Sequence, residues 1–425
     1  MNEQEQMTAD LCSFIAKSPT QFHAVENMEL SLKENGFLPL DEKERWRIEK
    51  GRSYIVTRNS SALATFRVPE KPFKGFSIVS AHTDSPAFKV KTEPEVTSSG
   101  LYTVLNTEVY GGLLMAPWFD RPLSIAGRVY EKGKGGITEK LVDFSRDLVL
   151  IPNLAIHMNR KVNENNSYSA QKDMLPILAE GIEKGRFRKA LAEAACCNVE
   201  DLLEYELYLY SRTPASIWGL NNEFFSAPKI DDLMCAYTAF RAIEDSMPGD
   251  YMPILMLFDN EETGSGTKQG ALSDFLPLVV SRIAHALCMD EEERAMKTAA
   301  SFSISADNCH AMHPNYSEKC DITNKARMNG GVAIKFSAAQ KYTTDAYSAS
   351  YLRALMDENS IPYQYFANHS DIPGGSTLGN LATEKLSIPT VDIGAAQLAM
   401  HSPYESAGVR DTEALYRLFK VFFSR

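Results

Sequence analysis

The chain has 425 residues, with 55 acidic against 44 basic side chains and a formal net charge of -11. Hydrophobic residues make up 44% and charged residues 23%, ordinary globular values at a length that suits one large domain or two. The acidic balance argues against nucleic acid or an anionic membrane as the main partner, because both recruit basic patches. Seven cysteines lie scattered without a CxxC pair, and Cys196 and Cys197 are adjacent, a pattern of reduced structural thiols. The start, MNEQEQMTADL, lacks the basic and apolar regions of a signal peptide. No apolar run approaches the ~20 residues of a membrane helix. The expectation is a soluble, cytoplasmic protein.

In chain order, residues 9–37 read as a helix broken at Pro19 and leaving at Gly36. SYIVT, ALATFRV and GFSIVSA follow as β-branched, apolar strands. The texture changes near Lys91, where KTEPEVTSSG reads as a polar link punctuated by Pro and Gly. Strand-like segments come next (LYTVLNTEVY, LSIAGRVY, KLVDF, DLVLI), with EKGKGG as a turn. Residues 174–195 read as helical, followed by YELYLYS. From Pro228 strands alternate with helices again: YMPILMLF, SFSISA, GGVAIKFS and PTVDIGA. That alternation predicts an α/β fold with a mixed, mostly parallel sheet and helices on both faces. Residues 1–90 and 228–425 are expected to form this domain, interrupted by a smaller β-rich insertion over 91–227.

Five segments share one pattern, an apolar run followed by acids or histidines. FSIVSAHTDSP ends on His82 and Asp84, SAPKIDDL carries Asp231 and Asp232, and PILMLFDNEE ends on Asp259, Glu261 and Glu262. SFSISADNCH ends on Asp307 and His310, and PTVDIGAAQLAMHS delivers His401. In open α/β sheets such residues converge in the crevice at the carboxyl ends of strands. Any one of them alone reads as a turn or cap residue. Together, histidines and carboxylates without cysteine suit two divalent ions bridged by a carboxylate.

AHTDSP, the Asp231-Asp232 pair, DNEETGS, SADNCHAMHPNY and QLAMHSPYE resemble the aspartyl aminopeptidase family of dinuclear zinc exopeptidases. KSPTQFHAVENM, TRNSSA, WFDRPL and HMNRKVNEN extend the likeness along most of the chain. The resemblance implies two divalent ions per subunit, zinc first, with Co2+ or Mn2+ compatible with the same ligands. It implies His82 and Asp307 as terminal ligands of one ion, Glu262 and His401 of the other, and Asp231 as the bridge. Asp84 matches the acid that orients His82, and Glu261 the general base. Related enzymes carry a cis peptide after the bridging Asp, which makes the 231–232 bond a candidate. Glu261 and Glu262, as neighbours on an extended segment, are expected to point opposite ways.

The resemblance further implies peptide substrates with an N-terminal Asp or Glu, although some members prefer leucine. Lys335 matches a pocket cation for an acidic side chain; its plainer reading is a lysine guarding a strand edge. His310 matches a substrate contact or a hydrogen-bonding neighbour of the site. His157 matches an insertion histidine that reaches a neighbouring subunit's site. A homododecamer built from dimers, with the insertion as dimerisation module, is the implied assembly. Two other readings stay open: a related di-zinc deacylase or carboxypeptidase, for which Arg121 or Arg160 would bind a terminal carboxylate, and a catalytically silent shell.

Overall fold

A computed structural model describes residues 2–164, 166–375 and 377–425. The chain opens with two helices, Glu3–Lys17 and Gln21–Glu34, separated around Pro19 where the ring denies a helical hydrogen bond. Asn2 caps the first helix in a reciprocal box with Glu5.

A nine-stranded sheet forms the frame. Its order is Leu38–Pro39, Ser53–Arg58, Ala62–Arg67, Met252–Phe258, Phe76–His82, Phe302–Ala306, Thr390–Gly394, Val332–Phe336 and Tyr363–Ala367. The four strands from Met252–Phe258 to Thr390–Gly394 are mutually parallel, so the sheet is mixed but mostly parallel, as expected. Every residue of Phe76–His82, Met252–Phe258 and Phe302–Ala306 is buried, which explains their continuous apolar sequence. The helices Ile230–Asp245 and Val409–Phe423 cover one face, through Leu233, Ile243, Leu415 and Phe422. The other face packs against Phe275–Ala286, through Phe275, Val279 and Ile283.

A separate six-stranded antiparallel sheet runs Gly136–Asp143, Leu123–Gly133, Leu202–Ser211, Ala87–Ser98, Tyr102–Tyr110 and Ile177–Glu180, with its own core around Phe88, Ile125 and Phe187. Two local expectations fail in this sheet. KTEPEVTSSG is not a link but the outer half of strand Ala87–Ser98. Its polar residues face solvent, and Pro94, which has no N–H to pair, falls inside a register shift between Val90 and Glu95. Residues 174–195 are not one helix: Ile177–Glu180 pairs with Tyr102–Tyr110, and only Arg186–Ala194 is helical. Gly181 and Gly185, both at positive φ, break the run.

A third sheet of five short strands was not anticipated. It joins Ser216–Trp218, Phe224–Ala227, Glu405–Gly408, Ala396–Leu398 and Cys309–His310. Among the described residues no helix is long and apolar enough to cross a membrane.

Candidate metal centre

Register places the site. Phe258 pairs with His82, and Phe302–Ala306 lies on the other side of the same strand. The chain therefore emerges at His82, Asp259 and Asp307 along one edge of the sheet, the crevice that open parallel sheets offer. Asp231 enters from the start of helix Ile230–Asp245, where Asp231 and Asp232 are non-helical and the bond between them is cis. His401 arrives from the five-stranded sheet with a left-handed φ of 67°.

The two glutamates are not extended. Asn260, at φ 63°, turns the chain into a 3-10 turn over Glu261–Thr263. That turn brings both carboxylates to the same side, and ligand atoms of His82, Glu261 and Glu262 lie within 4.8 Å of one another. The expectation of opposed side chains fails because strand alternation stops at Phe258.

Two ligand groups share Asp231. His82, Asp231 and Asp307 form one, and Asp231, Glu262 and His401 the other. Asp231 turns Oδ1 to His82 Nε2 at 3.5 Å and Oδ2 to His401 Nε2 at 3.6 Å. His401 Nε2 is 3.4 Å from Glu262, and His82 Nε2 is 3.9 Å from Asp307. Ligand atoms held about 2.0–2.2 Å from one tetrahedral ion stand roughly 3.3–3.6 Å apart, so the spacing suits two ions with Asp231 between them.

The whole length carries this signature. A family model described as Aminopeptidase I zinc metalloprotease (M18) matches residues 14–423. A Clostridium novyi (strain NT) protein named "Probable M18 family aminopeptidase 2" is 44% identical over 98% of each chain. The structure titled the Ape4 and Nbr1 complex superposes with TM-score 0.94 at 32% identity, over 99% of this chain and 86% of that one. The S. cerevisiae mApe1 dodecamer gives TM-score 0.87 at 27% identity, over 99% and 96%.

The chain belongs to the M18 family of metalloaminopeptidases.

The M18 chain also fits the family's zinc on its own chemistry. Asp231 Oδ1 and Glu262 Oε1 are buried without a hydrogen-bond partner among the described residues. Such orphaned carboxylate oxygens are costly unless a cation faces them. The donors are imidazole and carboxylate, which zinc accepts and which cobalt and manganese share.

A surrounding layer fixes these donors. His82 Nδ1 lies 3.0 Å from the Asp84 carbonyl and 3.3 Å from its carboxylate, which leaves Nε2 to face Asp231. Asp84 also accepts from Tyr110 Oη at 2.7 Å and from the backbone N–H of Glu261 and Glu262 at 3.2 Å. Asp232 accepts from the His82 N–H at 3.2 Å. Glu405 joins two donors of the second group, accepting from Asp231 N–H at 3.0 Å and His401 N–H at 2.7 Å. The His401 Nδ1 lies 2.8 Å from the Gly112 carbonyl.

The electrostatics follow from burying so many acids together. Burial pushes Glu261 up to about 8, with the charges of Asp307, Asp84 and Asp231 adding and His82 opposing. Glu262 is raised by burial and then by Asp231. Burial also works against Asp231, but its contacts with His401 and His82 outweigh it and hold the carboxylate below the usual range. His82 and His401 show the reverse balance: burial lowers them, and contacts with Asp231 win, lifting His401 to about 10. Two divalent ions would reverse the acid shifts by replacing protons with fixed charge.

Three other predicted residues are not members of the two ligand groups, although Lys335 touches Asp307. Lys335 is 1% exposed, in a strand flanked on both sides, so it guards no sheet edge. Its Nζ donates to the carbonyls of Asp307 and Asn308 and to Asp307 Oδ2 at 3.2 Å. His310 borders a cavity of about 320 Å³ that also meets His313, Lys319, Lys325, Phe366 and His369. His157 is exposed, in a turn between strands of the six-stranded sheet. Sequence reasoning missed Glu405, Tyr110 and Gly112. Only Glu405 left a trace, four residues after His401 within QLAMHSPYE.

Proposed function

We propose that the protein removes single N-terminal residues, Asp or Glu foremost, from peptides, using two divalent ions per subunit. The observation that carries this reading is the division of Asp231, one oxygen to each ligand group, with Glu261 beside the shared edge. His82 and Asp307 would hold one ion and Glu262 and His401 the other, with Asp231 common to both groups. When bound, the ions lower the pKa of a water and polarise the scissile carbonyl. Glu261 takes the proton of the attacking water and delivers it to the departing amine. Asp84 keeps His82 in the tautomer that presents Nε2.

The cavity beside His310 receives the side chain of the first residue. Lys319, Lys325, His310 and His313 around it give an acidic group charge and hydrogen-bond donors. In this geometry Lys335 acts on substrate through Asp307, since its ammonium already serves three oxygens. The six-stranded sheet, over residues 87–211, is the module through which dimers build a dodecamer of the kind named for the S. cerevisiae relative. His157 lies on that module, exposed and free to meet a neighbouring subunit's site. The protein acts in the cytoplasm. A carboxypeptidase reading is weakened because Arg121 Nε is bound to the Pro117 carbonyl at 2.5 Å, not turned toward the site.

Asp-, Glu- and Leu-anilide substrates, assayed on metal-stripped protein reloaded with zinc, cobalt or manganese, test the proposal. Faster turnover of Asp or Glu than Leu supports the acidic pocket. A clear preference for Leu refutes it while leaving the metal assignment standing. Sedimentation of a fully active monomer would overturn the assembly.

A further inference from the structure

Residues 110–114 leave the six-stranded sheet at the end of strand Tyr102–Tyr110 and touch the metal centre at both ligand groups. Tyr110 Oη donates to Asp84 at 2.7 Å and accepts from Asn260 Nδ2 at 2.8 Å. Its ring is held edge-on against Tyr208 of the same sheet, at 5.4 Å between centroids. Two residues later the Gly112 carbonyl takes His401 Nδ1 at 2.8 Å, and Leu114 N–H donates to the His401 carbonyl at 3.0 Å. Between these contacts Gly111 runs at φ 73°, where a Cβ would stand 3.1 Å from Glu262 Cβ and 3.4 Å from Pro86 Cβ. Four of these five residues thus bear on His82 through Asp84, on Glu262 by packing, and on His401 directly.

We propose that residues 110–114 form a strap that ties the six-stranded sheet to the metal centre, with Tyr110 as a positioning residue for the His82 side. The proposal rests on the metallopeptidase reading above.

The physical case is one of alignment. Asp84 can serve His82 and the turn carrying Glu261 and Glu262 only in one rotamer, because each of its oxygens already meets a backbone N–H of that turn. The Tyr110 hydroxyl adds a neutral donor that fixes that rotamer from the far side. Tyr110 is itself anchored by Asn260, the left-handed residue that opens the turn. On the other side, Gly112 sets the His401 tautomer so that Nε2 is the free nitrogen. Any displacement of the six-stranded sheet is therefore passed to both ion positions.

The test is Tyr110→Phe, which removes one oxygen and keeps the ring on Tyr208, with Tyr208→Phe as a control that leaves Asp84 untouched. Zinc affinity is read by competition with a chromophoric chelator, alongside the melting temperature of the metal-free proteins. The expected result is one zinc equivalent bound about 10- to 100-fold more weakly in Tyr110→Phe, the usual scale for losing a residue that orients a ligand, and unchanged in Tyr208→Phe. Gly111→Ala, which crowds Glu262, is expected to weaken the second equivalent instead. If Tyr110→Phe binds both equivalents within about twofold of the parent and loses only melting temperature, the strap is overturned. If the parent itself binds no zinc, the metal reading falls first, and the strap with it.

Discussion

The two large sheets serve the metal centre in different ways. The nine-stranded sheet carries proposed ligands: His82, Asp307 and, one short turn further on, Glu262 follow buried parallel strands locked residue by residue. The six-stranded sheet brings none of the ligands, yet Tyr110 and Gly112 lie within hydrogen-bond distance of Asp84 and His401. One sheet supplies part of the candidate ligand set, beside Asp231 from a helix and His401 from the five-stranded sheet; the other contacts residues that aim it. A ligand is hard to replace, whereas an aiming contact is graded, so damage to the two sheets should differ in kind.

The largest effect is expected at Asp231, which serves both ligand groups. Asp231→Ala should abolish measurable peptidase activity and reduce bound zinc below one equivalent per subunit by atomic absorption. Near-full zinc in that variant would break the shared-ligand geometry. Glu261→Gln comes next, with kcat lower by about 10²–10⁴-fold, the ordinary contribution of a positioned general base, while zinc content stays at the parent level. Near-parental turnover would remove Glu261 from its role.

A pair of core variants sharpens the contrast between the sheets. Phe258→Ala in the nine-stranded sheet and Phe187→Ala, on helix Arg186–Ala194 in the core of the six-stranded sheet, each empty a fully buried site. Each should cost about 3–5 kcal/mol in chemical denaturation. Only Phe258→Ala, adjacent to Asp259 and paired with His82, should also weaken zinc binding severalfold, as read by isothermal titration. Equal weakening in both would show that the two sheets are not separable in this way.

The smallest effect is a pH dependence. In the metal-free protein His401 is raised to about 10, and its stabilisation, complete below the unfolded value near 6.5, is lost as pH rises through that folded value. Glu261, raised to about 8, is neutral when folded and must ionise at a cost as pH climbs. Both groups bind more protons folded than unfolded between pH 5.5 and 8, so the metal-free protein should melt lower at pH 8. Asp231, shifted the other way, has already made its contribution below that window. Zinc replaces those protons, so its stabilisation should be larger at pH 8 than at pH 5.5 in a thermal melt. An equal shift at both values would contradict the sign of these effects.

The ligand-bearing sheet was readable because buried parallel strands announce themselves as apolar runs, and the residue after each run falls at the crevice. His82, Asp307 and the Asp259–Glu262 segment emerge where that rule places them. The rule says nothing about turn geometry, so Glu261 and Glu262 were expected on an extended segment when Asn260 folds them into a 3-10 turn. The six-stranded sheet was harder to read. One face of strand Ala87–Ser98 is solvated, so its polar residues and Pro94 imitate a linker. Gly112 acts through a carbonyl, a group every residue possesses, and such a contact leaves no mark in the side-chain pattern.

The pairing of Phe258 with His82 makes the sheet a ruler. Neighbouring strands stand about 4.8 Å apart whatever their side chains. The starting points of the His82 and Asp259–Glu262 segments are thus fixed by main-chain hydrogen bonding before any side chain is chosen. Substitutions in the loops around His310 would leave that register where the backbone put it.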